Sequence, residues 1–147
     1  MVTDQEIEML DKIEKKTVSE IHYFDKISKK YTDLLYELLL NQRFSGFTNE
    51  ELKEIINHLK MRKNLPEGNV YSADKNVGPL WRIADKYQIT DPKLSALARC
   101  VIMCFETEER WLTNDTGEET PLFCFLFWLK KADPTLAPYF LSVFEER

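Results

Sequence analysis

The first 45 residues of the chain contain neither glycine nor proline, and the first of either is Gly46. Because these two residues interrupt regular backbone structure most strongly, so long a stretch without them favours helices. Thr3 and Glu6 have the spacing of a capping box, in which each side chain satisfies a free backbone amide at a helix start. Apolar residues then recur at about 100° per residue, which is the helical period. They are Ile7, Leu10, Ile13, Ile21, Phe24, Tyr31, Leu35 and Leu38.

A single helix from this start to Asn41 would be roughly 57 Å long, at about 1.5 Å per residue. That length is awkward for a chain of 147 residues, so we expect a bend or a break. The candidate restart points are 17–20 and 32–33, where threonine precedes small or acidic residues. Gly46 is expected to end this section.

Capping residues also mark the helix starts in the rest of the chain. Thr48 and Glu51 form a second predicted capping box, which opens a helix with Leu52, Ile55, Ile56 and Leu59 on one face. Further on, proline repeatedly follows a small or capping residue, which suits the first position of a helix. These starts predict helices near 79–88, 92–112 and 121–132, and a last segment from Pro134 that Pro138 must divide or restart.

The segment from Leu122 to Leu129 is apolar at all eight positions. A helix that is apolar on every face must be surrounded by other elements, so we expect this one to be central. The sequence therefore predicts an all-α, single-domain bundle (1–147) of six or seven helices around a helix at about 121–132. A long polar loop is expected at about 64–79, and the only candidate strand is a short one at 70–71.

The N-terminus lacks the basic start and apolar run of a signal peptide, and no stretch reaches the roughly 20 apolar residues that span a bilayer. The three cysteines lie in apolar contexts, which suits free thiols in a reducing compartment. We therefore expect a cytoplasmic protein without a membrane partner.

Residues that could carry chemistry are few. Cys100 and Cys104 share a helix face and Cys124 lies on the apolar helix, but His22 and His58 are each isolated. This pattern lacks the close pairs typical of a metal site and the Cys–His–acid set of a nucleophilic one. We expect buried, inert thiols, no metal, no cofactor and no catalytic residues. The glycines are too far apart for a phosphate-binding loop.

The strongest charge feature is an acidic segment, residues 106–119, whose formal charge of −5 equals that of the whole chain. Clustered charge of one sign speeds association with an opposite surface and repels polyanions. We therefore predict that this segment binds a partner with a basic surface, with a tryptophan as its aromatic anchor. The predicted partner-binding residues are Glu106, Glu108, Glu109, Trp111, Asp115, Glu118 and Glu119.

These features favour a non-catalytic, acidic protein-binding module that inhibits or neutralises another protein, as immunity proteins and antagonists do. The net charge and the absence of a stacking motif disfavour nucleic acid as the partner. One alternative is a structural subunit that forms homo-oligomers through 122–129 or 138–144. Another is a small-ligand-binding or enzymatic helical domain that uses Tyr71, Trp81, His58 or the acids near Glu106.

Overall fold

The computed structural model of the chain describes residues 2–17, 23–64, 77–105 and 121–145. Within these ranges there is no strand, and the predicted all-α bundle of six or seven helices is confirmed. The elements are α1 (Asp4–Thr17), α2 (Tyr23–Leu40), α3 (Leu52–Lys63), α4 (Gly78–Lys86), α5 (Pro92–Cys104), α6 (Pro121–Ala132), a 3₁₀ turn (Pro134–Leu136) and α7 (Ala137–Glu145).

The starts of α1, α5 and the 3₁₀ turn follow the local capping pattern. At α1 the Thr3 amide donates to the Glu6 carboxylate (2.8 Å) and the Glu6 amide donates to the Thr3 hydroxyl (3.1 Å). At α5 the Asp91 carboxylate accepts from the Leu94 amide at 3.3 Å, and Asp133 caps the 3₁₀ turn in the same way. These starts were correctly predicted because each depends on residues within three or four positions.

The start of α3 differs from the prediction. The Glu51 amide donates to the side chain of Asn49 (2.9 Å) and not to that of Thr48, so the predicted capping box does not form. The Glu51 carboxylate instead pairs with two bases of α4, at 3.2 Å from Arg82 and 3.5 Å from Lys86. A contact between helices therefore replaces a local one at this helix start.

Helix α2 is continuous through the second predicted restart point, so a break at 32–33 was a wrong expectation. The Thr32 hydroxyl donates to the Ser28 carbonyl at 2.9 Å, a back-bond that a mid-helix threonine can make. The first restart point, 17–20, begins at the last residue of α1, and 18–22 lie outside the described residues.

Helix α5 ends at Cys104, before the predicted end at residue 112. The Cys104 carbonyl accepts from the Arg62 side chain (2.6 Å) and from the Ser28 hydroxyl (3.4 Å), so it is satisfied by α3 and α2. A cation at the carboxyl end of a helix also complements the helix dipole. The end of α5 is thereby fixed to two other helices.

Helix α2 ends at Leu40, before the expected end at Gly46, and the left-handed residue Gln42 follows it. The Arg43 amide donates to the Leu38 carbonyl (2.9 Å) and the Gln42 amide to the Leu39 carbonyl (3.1 Å). Together with the Gln42 φ of 58°, these bonds form a Schellman motif, which usually holds glycine at the left-handed position.

Replacing Gln42 with glycine should raise the free energy of unfolding by about 0.5–1 kcal/mol, because relief of the left-handed strain exceeds the added entropy of the unfolded chain. Gly46→Ala is the matched control: nothing lies within 4 Å of a Cβ there, so the change should be tolerated. Urea denaturation gives the free energy of unfolding of both variants. A loss of stability in Gln42→Gly would contradict this account of the helix end.

The core is built around α5, which packs against α2, α3, α4 and α6. Helix α6 buries a face with helical spacing, namely Leu122, Phe125, Leu126 and Leu129. The Phe125 ring stacks on Tyr31 of α2 with centroids 4.3 Å apart, and Phe140 of α7 meets Tyr31 edge-on at 6.1 Å. Aromatic packing therefore joins three helices at the centre.

One ion pair in this bundle is largely shielded from water. Lys130 of α6 lies 2.7 Å from Glu6 of α1, with side chains 12% and 14% exposed. Burial by itself raises the pKa of Glu6, but the hydrogen bonds from Lys130 and Thr3 outweigh it and hold the pKa below its usual 4.5. The pair fixes the start of α1 to α6.

Glu6→Gln should lower the free energy of unfolding by about 1–2 kcal/mol at neutral pH, because it weakens a charge-assisted hydrogen bond. The lowered pKa of Glu6 means that its contribution is present above pH 4.5 and is lost as the pH falls through the folded-state pKa. The difference between the two proteins should therefore shrink in acid. Denaturation at several pH values checks this, with the exposed Glu8→Gln as control; a difference independent of pH would contradict it.

Candidate functional site

The acidic residues predicted to bind a partner lie outside the described residues, as do most of the 64–79 loop, Tyr71 and His22. The acidic segment begins directly after Phe105 and ends next to Thr120, which precedes Pro121. Both flanking residues, Phe105 and Pro121, are buried. The chain is thus held in the core before the segment, at the end of α5, and after it, at the start of α6.

The buried thiols have low reactivity at neutral pH. Cys100 and Cys104 are fully buried, and burial raises the pKa of each to about 12. The Tyr31 hydroxyl is 3.4 Å from the Phe125 carbonyl, and burial, with the nearby thiols, raises its pKa well above the usual 10. All three groups therefore stay protonated at neutral pH, which is the chemistry of a packed core. None of the three cysteines forms a disulfide bond, as expected, although Cys124 is only half-buried.

The remaining features that could indicate a function are a histidine, possible metal ligands and possible membrane-spanning helices. His58 is buried, and its Nδ1 lies 2.8 Å from the Glu54 carbonyl, so this nitrogen is the donor. In the described ranges, no three His, Cys, Asp or Glu side chains come together as metal ligands would. None of the helices in those ranges combines the length and the apolar character that crossing a bilayer requires.

A different set of side chains meets on the outside of α4, α5 and α6. We call this set the aromatic–cation surface. The tryptophans come from the two outer helices and one arginine comes from the helix between them. Its members are Trp81 of α4, Arg99 of α5, and Phe127, Trp128 and Lys131 of α6.

The amphipathic pattern of α4 places Trp81 at this surface. Leu80, Ile83 and Ala84 are buried, whereas Trp81 remains 40% exposed. The Ser95 hydroxyl of α5 donates to the Ala84 carbonyl at 2.6 Å, which fixes α4 against α5. Trp81 is therefore carried on a helix that is held in place from inside.

On α6, residues spaced by four form a second face beside the buried one. Phe123, Phe127 and Lys131 follow one another along it, and the Phe123 and Phe127 rings stack with centroids 6.3 Å apart. Trp128, next to this line, meets Phe127 edge-on at 5.1 Å. The rings are half-buried, in contrast to Phe125 of the same helix. Helix α6 is thus a core helix on one face and contributes to the aromatic–cation surface on the other.

The two cations of the surface lie against these rings. The Arg99 guanidinium carbon is 5.0 Å from the centre of the Trp81 ring and 4.6 Å from that of Trp128. The Lys131 ammonium is 5.3 Å from the Phe127 ring and 5.4 Å from the Trp128 ring. Each such contact contributes about 0.5–1 kcal/mol at an exposed site. Arg99 therefore connects α4 to α6, and these contacts favour the observed conformations of the side chains.

Sequence reasoning did not find the aromatic–cation surface. Trp81 was named only as a pocket residue of a small-ligand domain, and residues 122–129 were expected to be surrounded by other helices or, in the alternative, shared between copies. The available signal was the four-residue spacing of Phe123, Phe127 and Lys131, which places a cation in line with two aromatic rings. The pairing of Arg99 with two tryptophans depends on how three helices pack.

Comparison of the chain with models of protein families, with curated proteins and with solved structures finds no match.

Proposed function

We propose that this protein is a non-catalytic protein-binding module that inhibits or neutralises a protein partner, and that the aromatic–cation surface is part of its contact area. The single observation that carries this proposal is the half-exposed arrangement of Arg99 between Trp81 and Trp128. Tryptophan and arginine are the residue types most enriched among those that dominate binding energy at protein interfaces.

The contacts among the side chains of the surface support this role. Binding costs less conformational entropy when the contact side chains are already ordered. Here Arg99 is held between two rings and Ser95 fixes the helices beneath. The tryptophans can therefore contribute contact area without first becoming ordered.

The acidic segment supplies the second part of the proposal. Its charge of −5 would attract a partner with a basic surface and increase the rate of association. The segment is connected to α5 and α6, two of the helices that carry the aromatic–cation surface. We therefore propose that the partner is a protein that is basic overall, and that nucleic acid is not the partner.

Homo-oligomer formation has less support. Leu122, Leu126 and Leu129 of α6 and Phe140 and Phe144 of α7 are already buried within the chain, so these segments keep less apolar surface to share with a second copy. Light scattering at rising protein concentration should show a monomer, and a stable dimer would favour the structural role instead.

The proposal is tested by capturing proteins from the native lysate with tagged wild-type protein and two variants. Trp81→Ala should remove the stoichiometric partner. Tyr139→Ala should not, although Tyr139 is equally exposed (39%) and carries Arg43 over its ring at 5.1 Å. Failure to capture any stoichiometric protein, or equal capture by both variants, would overturn the proposal. Circular dichroism confirms that each variant is folded.

A further inference from the structure

The two cations of the aromatic–cation surface are not neutralised by carboxylates of the described residues. The ion pairs of those ranges include Lys63 with Asp33, Arg82 and Lys86 with Glu51, and Lys130 with Glu6. Neither Arg99 nor Lys131 pairs with a carboxylate of those ranges, and each lies over aromatic rings. Two positive charges therefore stand together at the surface of an acidic protein.

The geometry of Arg99 leaves its hydrogen-bonding groups available. A guanidinium is planar and its five N–H groups lie at its edge, so a ring that packs on its face leaves those donors open. No hydrogen bond from the Arg99 side chain to another described residue is present in the structure. A carboxylate matches this fork with two parallel hydrogen bonds.

We propose that the aromatic–cation surface binds a carboxylate, of an aspartate or glutamate flanked by apolar side chains, on the protein partner. This inference rests on the proposed function and adds the chemistry of the contact. The carboxylate pairs with Arg99, while Lys131 supplies a second charge. The flanking apolar side chains pack on the exposed parts of Trp81 and Trp128. The low dielectric beside the indole rings strengthens the ion pair compared with the same pair in water.

A protein segment fits this surface better than a nucleic acid does. Nucleic-acid affinity depends on neutralising many phosphates, whereas this surface offers two cations and the chain as a whole carries −5. The rings at this surface lie against Arg99 and Lys131, which leaves less of each ring open for base stacking. A single carboxylate between apolar side chains needs only one or two cations and some exposed ring surface, and the aromatic–cation surface provides both.

The test uses NMR and a blocked hexapeptide that alternates glutamate with leucine. The indole N–H signals of Trp81 and Trp128, assigned with Trp→Phe variants, should shift as the peptide is added, with a Kd of about 0.1–1 mM. The same peptide with glutamine in place of glutamate should bind about tenfold more weakly, because it loses the charge-assisted hydrogen bonds.

Substitutions in the protein provide the matched comparison. Arg99→Gln should weaken binding of the glutamate peptide by about tenfold, and Arg99→Lys by less, since the charge remains while the fork is lost. Arg43→Gln, which removes a cation from the Tyr139 ring on α7, should leave the Kd unchanged. If Arg99→Gln lowers the melting temperature, Lys131→Gln provides a second variant. Its Kd for the glutamate peptide should rise about threefold.

Equal binding of the glutamate and glutamine peptides would overturn the carboxylate inference while leaving the aromatic–cation surface as a protein-binding site. Absence of any shift at peptide concentrations well above 1 mM would also overturn it, because such a contact should be measurable there. Stronger shifts with single-stranded oligothymidylate would assign the surface to nucleic acid and overturn it too. A failure of the proposed function itself gives a different result: wild-type protein then captures no partner.

Discussion

Replacing Phe125 with alanine should lower the free energy of unfolding by about 3–5 kcal/mol, the range found when a fully buried phenylalanine is truncated. Phe125 is wholly inaccessible to solvent, and its ring stacks on Tyr31 at 4.3 Å. The substitution would leave a cavity where α2, α6 and α7 meet. Because a domain of this size has a total stability of about 5–15 kcal/mol, the loss is a large fraction of it.

Phe127→Ala is the matched control for Phe125→Ala. It removes the same number of atoms from the same helix, but the side chain is only half-buried, at the aromatic–cation surface. We expect a loss of about 1–2 kcal/mol, consistent with partial burial. Urea denaturation followed by circular dichroism measures both losses. Equal losses would contradict the assignment of one face of α6 to the core and the other to the surface.

The thiols of Cys100 and Cys104 should react about a thousandfold more slowly than ordinary thiols with a disulfide reagent at pH 8. Burial raises the pKa of each from 9.0 to about 12, so the reactive thiolate is scarce. Only the thiolate attacks, and its fraction falls tenfold for each unit of pKa. Exclusion of the reagent from the core slows the reaction further.

Colour development with an aromatic disulfide reagent gives the measurement. Half-buried Cys124 should be labelled first in the folded protein, and Cys124→Ser should leave a native protein that is almost unreactive. Unfolding this variant in guanidinium should then make two thiols reactive, those of Cys100 and Cys104. Rapid labelling of Cys100 or Cys104 in the native state would show that one of them is accessible. It would contradict the interpretation of the pair as inert core thiols.

The helical architecture could be predicted wherever a structural signal is local. The capping box at Thr3, the Asp–Pro pairs at Asp91 and Asp133, and the divided last segment at Pro138 all have their partners within a few residues. Their hydrogen bonds form in the structure as the residue types predict. Such signals do not depend on how the helices pack.

Two of the wrong predictions arise where a distant residue binds a local group. Glu51 turns towards Arg82 and Lys86 of α4, so the second capping box is lost. The carbonyl of Cys104 accepts from Arg62 of α3, and α5 ends there. At Gln42, a residue with a side chain takes a conformation that usually favours glycine. At Glu51 and Cys104 the packing of helices decided the outcome, whereas the turn at Gln42 closes through its own local hydrogen bonds.

The candidate site could not be predicted for the same reason. Charge clustering pointed to the acidic segment, because it is contiguous in sequence. The aromatic–cation surface combines single residues from three helices, each unremarkable within its own helix. The half-exposed Trp81 follows from the pattern of α4, but its contact with Arg99 follows only from the packing of α4 on α5. The two features together suggest a partner with a basic surface that also presents a carboxylate.

Photo-crosslinking to the captured partner tests most directly whether the aromatic–cation surface is the binding surface. A benzophenone amino acid is placed either at Lys131, within that surface, or at Lys12, an exposed lysine on α1. The proposed function predicts a crosslinked complex from position 131 and none from position 12. Crosslinking from position 12 alone, or from both positions to the same extent, would contradict it.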